Sequence, residues 1–200
     1  YSLDDYEIKA HSEQYFEDRC IKNFSSTKGG FIDAGSYDGA DSIKFSKSKL
    51  NQNVPIYAFE PDETNYHLCK NALADVKNTE VFNIGLSDIR KQGFFASGIG
   101  ETSRVEKQGN CRINLDTIDL LMKGKNVGYI KMDVEGSEKN AIIGAKLHIK
   151  QDKPNMMISV YHKLEDVIEI PKLLLEINPS YRFAFGHYSV CNCDTVLYAF

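Results

Sequence analysis

The sequence predicts an α/β fold built on a mostly parallel sheet with helices packed against it, and three observations carry that expectation. Short apolar bursts alternate with segments whose apolar residues recur at helical spacing, the pattern of strands joined by crossover helices. The first burst runs straight into a glycine turn, Asp33-Ala-Gly35-Ser36-Tyr37-Asp38-Gly39. The last two bursts follow one another with no room for a helix, so they pair as an antiparallel hairpin and make the sheet mixed.

The elements follow in order. Phe16, Cys20, Ile21 and Phe24 share a helical face, Ser25 to Gly30 (SSTKGG) breaks it, and Phe31, Ile32 and Ala34 form the first strand. Ile56 to Phe59 is the second strand, and Asn65, Cys69, Ala72, Leu73 and Val76 line one face of the helix after it. Glu80 to Ile84 is the third. Tyr129 to Val134 is the fourth, leading into a helix capped by Ser137 with an apolar stripe of Ala141, Ile142 and Ala145. Met156 to Tyr161 is the fifth, and a helix beginning at Pro171 carries Leu174, Leu175 and Ile177. Tyr181 to Phe185 and Thr195 to Phe200 close the sheet. Residues 90–114 are polar, carry Gly93, Gly98, Gly100 and Gly109, and read as a hairpin or loop excursion. With no repeat or linker to divide it, the chain of 200 residues is expected to form one domain, with residues 1–29 as a helical lead-in.

Composition narrows the function classes. The net charge of −4 comes from interspersed acids and bases with no basic block, which argues against a nucleic-acid partner. No apolar run approaches the roughly 20 residues of a membrane span, and YSLDDYEIKAHSEQYF lacks the regions of a signal peptide. Cys20, Cys69, Cys111, Cys191 and Cys193 are odd in number and scattered, which suits free thiols in a reducing compartment, so a cytoplasmic chain is expected. Cys191-x-Cys193 is too close and isolated for a zinc site.

In open α/β sheets ligands bind beyond the carboxyl ends of the strands, so the residues after each burst carry the chemistry. The D-x-G-x-x-x-G turn differs from the G-x-G-x-x-G dinucleotide fingerprint. In it, Gly35 lets the backbone approach a ligand and Gly39 lets the next helix pack against the strand. Acids at Asp33 and Asp38 would repel a pyrophosphate and suit a ligand bearing a sulfonium and an amine, which favours S-adenosylmethionine over NAD. Glu60, followed by Pro61, ends the second strand, where adenosine-binding sheets place an acceptor for both ribose hydroxyls. Gly85 and Ser87 follow the third and border the adenine or simply form a turn. Lys131, Asp133 and Glu135 alternate on one face of the fourth strand.

The series FIDAGSYDGADS, YAFEPDETNYHLCKNAL, NIGLSD, INLDTID and YIKMDVEGSEKNAIIGA resembles the FkbM-type methyltransferases, a branch of the Rossmann-like, seven-strand S-adenosylmethionine-dependent fold with helices on both sheet faces. The resemblance spans Glu13 to Phe200. It implies methylation of a hydroxyl oxygen, often on a sugar of a glycan or secondary metabolite. It also implies cofactor contacts at Asp33, Gly35, Ser36, Tyr37, Gly39 and Glu60, with Asp133 and Glu135 near the reacting end.

A hydroxyl needs a base within reach in the transition state. His162, directly after the fifth strand, titrates near neutrality and is the first candidate, with Asp133 the second. Glu135 would bind the cofactor amine or the acceptor, and Lys131 would pair with either acid. Asp133, Glu135 and His162 have the chemistry to hold Mg or Mn, but no metal is expected. His11, His67, His148 and His187 read as structural, and Phe94, Phe95 and Ser97 to Ser103 as part of a lid. The alternatives are a protein or lipid acceptor, a nucleotide-dependent dehydrogenase, and a cofactor-binding module without turnover.

Overall fold

The computed structural model describes residues 14–25, 27–95, 105–106, 111–190 and 193–200. The expectations placed on His11, Gly98, Gly100, Gly109, Cys191 and Ser97 to Ser103 lie outside those residues. From the amino-terminal side come α1 (Asp18–Ile21), β1 (Gly30–Ala34), α2 (Ala40–Lys47), β2 (Ile56–Phe59), α3 (Glu63–Ala72) and β3 (Thr79–Phe82). Then come β4 (Gly85–Leu86), β5 (Lys91–Phe95), β6 (Val105–Glu106), β7 (Cys111–Asp116), α4 (Ile118–Leu121) and β8 (Val127–Met132). The chain ends with α5 (Glu138–Ile143), α6 (Lys146–Asp152), β9 (Asn155–Ser159), α7 (Asp166–Ile177), β10 (Phe183–His187) and β11 (Thr195–Ala199).

Seven strands form one sheet in the order β10-β11-β9-β8-β1-β2-β3. β1 pairs in parallel with both β2 and β8, β2 with β3 and β8 with β9, whereas β11 runs antiparallel to β9 and β10. The direction of winding therefore reverses between β1 and β8, which opens a crevice beyond their carboxyl ends. Every residue of β1, β2, β8 and β9 is buried, as expected of strands covered on both faces. Ile32, Ala34, Ile130, Met132, Met156 and Ile158 pack with Ile118, Ile142, Ile149, Ile170 and Leu174 of α4 to α7 on one face. Phe31, Ile56, Tyr129 and Met157 pack with Phe45 of α2 and with Cys20 and Ile21 of α1 on the other. There Phe45 stacks on Phe31 with ring centroids 4.0 Å apart.

Local chemistry explains several boundaries and corrects others. Asp62 caps α3 by accepting from the backbone N–H groups of Thr64 and Asn65, and Thr117 caps α4 by accepting from Leu120. Ser137 precedes α5, but its side chain makes no capping bond. Glu138 does the work instead, its Oε1 accepting from Val134 and Gly136 N–H. α7 starts at Asp166, a turn and a half before the expected start, and takes Pro171 inside it. The fourth strand stops at Met132 rather than Val134, because Glu135 (φ 53°) and Gly136 (φ 86°) turn into left-handed backbone. The alternation of 131, 133 and 135 on one extended face is therefore cut short.

β4, β5, β6 and β7 form a second sheet, ordered β4-β7-β5-β6, in which β5 is antiparallel to β7 and β6. β4 joins it in parallel with β7, so the expected third strand through Ile84 ends at Phe82 and the chain changes sheets. Cys20 and Cys69 are free and buried, whereas Cys193 is disulfide-bonded, contrary to the expectation of five thiols. Among the described residues no helix is long and apolar enough to cross a membrane.

Candidate active site

A cavity of about 800 Å³ lies at the reversal point, within the ~300–1,000 Å³ usual for small-molecule sites. Its wall includes Gly35, Ser36, Tyr37 and Asp38 after β1, Glu60 and Pro61 after β2, and Gly85 in β4. Lys131, Asp133 and Glu135 from β8 and its continuation, and Tyr161 and His162 after β9, complete the opposite side. Six carboxylates line it (Asp38, Asp41, Glu60, Asp133, Glu135 and Asp194) against Lys44 and Lys131, an excess suited to a cationic ligand and hostile to a pyrophosphate.

The turn after β1 is held by close backbone approach. Gly35 has φ 76°, and a Cβ there would sit 1.8 Å from the Asp133 carbonyl oxygen, so only glycine allows β1 and β8 to end side by side. Gly39, at φ 84°, faces Leu73 and Cys69 beside α3; it serves helix packing rather than the approach of α2 to the strand. Gly39, Asp33 and Ser87, expected at the cofactor, are absent from the cavity wall. Ser87 instead donates to Asp88.

Asp33 is fully buried and organises the wall from behind. Its Oδ2 accepts from Ser42 Oγ at 2.7 Å, and its Oδ1 lies 3.2 Å from Lys131 Nζ. Lys131 Nζ also donates to the Gly35 carbonyl at 2.8 Å and pairs with Asp41 at 3.3 Å. Burial works against the Lys131 ammonium, but Asp33, Asp41 and Asp133 outweigh it and hold its pKa above the ordinary lysine value. Of the two acids paired with Lys131, Asp41, the second residue of α2, reaches the cavity and Asp33 does not.

Glu60 is nearly buried, and its two oxygens accept from Tyr37 N–H and Asp62 N–H, each at 2.9 Å. A carboxylate has about four acceptor sites, so two remain for a ligand diol. Burial pushes its pKa up to about 7, against the pull of those two N–H groups. Beside it, Gly85 packs against Leu115 and Pro61, where a Cβ would meet Leu115 at 2.7 Å, so it shapes the wall.

Beyond β8, three side chains converge. His162 Nε2 stands 3.5 Å from Asp133 Oδ1 and 3.5 Å from Glu135 Oε2, and its Nδ1 stands 3.0 Å from Glu138 Oε1. Tyr15 donates its hydroxyl to Asp133 Oδ2 at 2.7 Å and shares a 2.9 Å bond with Ser159. Burial alone would lower the His162 pKa, but Glu135 and Glu138, with Asp133, raise it to about 10. That shift favours the protonated imidazole at neutral pH, and so favours Asp133, the second candidate, over His162 as the proton acceptor. Tyr15, Asp41 and Glu138 were not singled out from sequence. Only the E-G-S-E spacing of Glu138 beside Glu135 offered a local signal, because Tyr15 meets Asp133 from 118 positions away.

Residues 33–183 match the family model of the methyltransferase FkbM domain. The structure is similar to a methyltransferase FkbM of Methylobacillus flagellatus KT, with a TM-score of 0.78 at 24% identity, over 96% of this chain and 48% of that one. This chain thus spans about half the length of that relative. It is also similar to Aeropyrum pernix fibrillarin with natively bound S-adenosyl-L-methionine, with a TM-score of 0.56 at 11% identity, over 88% and 67% of the two chains. For precorrin-6y C5,15-methyltransferase of Geobacter metallireducens GS-15 the TM-score is 0.53 at 12% identity, over 88% and 80%. No curated protein matches in sequence.

Proposed function

This chain belongs to the FkbM methyltransferase family, and from that premise we propose that it transfers a methyl group from S-adenosylmethionine to a hydroxyl oxygen of a small molecule or glycan. One observation carries the reading: a single cavity at the reversal point holds both a buried diol acceptor, Glu60, and the cluster of Asp133, Glu135 and His162. The likeness to the fold of a fibrillarin that binds S-adenosyl-L-methionine supports the cofactor.

The residues present fit that cofactor. Glu60 keeps two acceptor sites that would take the ribose hydroxyls, Gly35 to Asp38 would cradle the amino-acid end, and Asp41 would answer the amine. Pro61 and Gly85 would wall the adenine. When bound, S-adenosylmethionine would supply an electrophilic methyl group for the acceptor oxygen and leave as its neutral thioether. The carboxylates of Asp133 and Glu135 receive the hydroxyl proton, and Tyr15 fixes the Asp133 side chain for it. His162 holds the two acids apart from each other's repulsion, while Lys131 offsets Asp33 and Asp41. Holding oxygen and methyl carbon in line supplies much of the rate.

The test is transfer of labelled methyl to fractionated glycans, small metabolites, lipids and proteins, followed by mild base. Label in a glycan or metabolite fraction that survives base as an ether agrees with the reading. Label confined to protein or lipid, or released by base as methanol, refutes the hydroxyl acceptor.

A further inference from the structure

We infer that Asp133, Glu135 and His162 form a binding site for one divalent cation of the Mn/Mg class at the wall of the cavity. Among the described residues these three are the group whose ligand atoms lie within 4.8 Å of one another.

The distances suit an ion better than they suit hydrogen bonds. His162 Nε2 lies 3.5 Å from a carboxylate oxygen of each acid, beyond the ~2.7–3.2 Å of an N–H···O bond. Two donors bound at ~2.1–2.3 Å from one ion, at ordinary coordination angles, stand about 3.0–3.6 Å apart. The His162 side chain is only 10% exposed, and its Nε2 faces both carboxylates without a hydrogen-bond partner. Without an ion the ring's proton offsets these acids; an ion bound at Nε2 would displace it.

The surroundings are those of a ligating histidine. The far nitrogen, Nδ1, stands 3.0 Å from Glu138, which is fully buried and is itself fixed by the N–H groups of Val134 and Gly136. A carboxylate behind the ring is how metal-bound histidines are oriented. Tyr15 takes Asp133 Oδ2, which leaves Oδ1 toward His162, with the Tyr161 hydroxyl 3.4 Å from that oxygen. Glu135 is brought round by its own left-handed backbone, a conformation that is costly for a non-glycine residue. The three donors come from one side, so the ion's remaining positions face the cavity, where a water or the acceptor's oxygen would complete them. Two carboxylates and one imidazole suit Mn²⁺ and Mg²⁺, the nitrogen favouring Mn²⁺.

The role, though not the binding, rests on the methyl-transfer reading: the ion would hold the acceptor hydroxyl and make its proton more acidic, with the proton leaving to the same carboxylates and no new covalent step. The test is titration of the chelator-treated full chain with Mn²⁺, following the free ion by electron paramagnetic resonance, without methyl donor. One ion per chain is expected. Asp133→Asn and His162→Gln should each weaken binding at least tenfold, and Glu138→Gln, which removes no ligand, about tenfold, with melting temperatures checked to exclude unfolding. Asp119→Asn, at the separate Asp119–His148 pair, should leave binding unchanged. No binding by 1 mM Mn²⁺, or wild-type affinity in folded Asp133→Asn and His162→Gln, overturns the site. Binding of S-adenosylhomocysteine is measured separately: a chain that holds Mn²⁺ but not that product refutes the methyl-transfer reading and leaves the cation site standing.

Discussion

Lowering the pH from 8 to 6 should loosen the grip on the cofactor through Glu60. Its carboxyl is pushed up from 4.5 to about 7, chiefly by burial. In the proposed complex a ribose diol would donate to the ionised carboxylate, so a proton on Glu60 would compete with the ligand. With a pKa of about 7, about one chain in eleven is ionised there at pH 6, half at pH 7 and about nine-tenths at pH 8. Affinity for S-adenosylhomocysteine should therefore rise about tenfold, about 1.4 kcal/mol, from pH 6 to pH 8. Calorimetric titration at pH 6, 7 and 8 reads this directly. Glu60→Gln should bind more weakly at pH 8 and lose the pH dependence. The same group acts on stability with a definite sign. Because its folded pKa is raised, its contribution is fully present below about 4.5 and is lost as pH rises through about 7, a change on the order of 3 kcal/mol. The unliganded chain should thus lose more stability between pH 5 and pH 8 than Glu60→Gln does. Affinity constant within twofold in the wild type, or an equally steep rise in Glu60→Gln, would show that Glu60 does not hold the cofactor.

Three further outcomes test other parts of the structure. Lys131→Met leaves Asp33 buried without its cation and should cost about 3–5 kcal/mol in denaturant unfolding; a loss under 1 kcal/mol would mean that Asp33 and Asp41 do not need it. Phe45→Ala removes a fully buried ring stacked on Phe31 and should cost about 3–5 kcal/mol by the same assay. Tyr15→Phe keeps the ring but deletes the bonds to Asp133 and Ser159. It should lower kcat/KM for methyl transfer about tenfold while S-adenosylhomocysteine affinity changes less than threefold; an unchanged kcat/KM would remove Tyr15 from the site.

The sheet was legible wherever the signal is local. The bursts at Phe31, Ile56, Tyr129 and Met156 are strands buried on both faces, so apolar residues dominate them, and Asp33 and Lys131 are held inside as an ion pair. The closing hairpin was fixed by the lack of room for a helix, and Phe183 does pair with Ala199. Boundaries were less legible. An apolar run continues through Met132 and Val134, and nothing in those residue types announces that Glu135 adopts positive φ. The site was legible as a set of strand ends but not as a division of labour. Asp33 and Asp41 are both acids near the glycine turn, and only the rotation of the first turn of α2 decides which meets the cavity and which is sealed behind it. The protonation of His162 escaped for a related reason: it depends on Glu135 and Glu138, 27 and 24 positions away, at distances no spacing rule supplies.

On this reading the cavity between β1 and β8 takes S-adenosylmethionine. Calorimetry of the full chain with S-adenosylmethionine, S-adenosylhomocysteine and NAD decides it. One-to-one, mutually competitive binding of the first two, lost in Glu60→Ala, with no heat from NAD, is the expected result. Binding of NAD with no response to either of the others would contradict it.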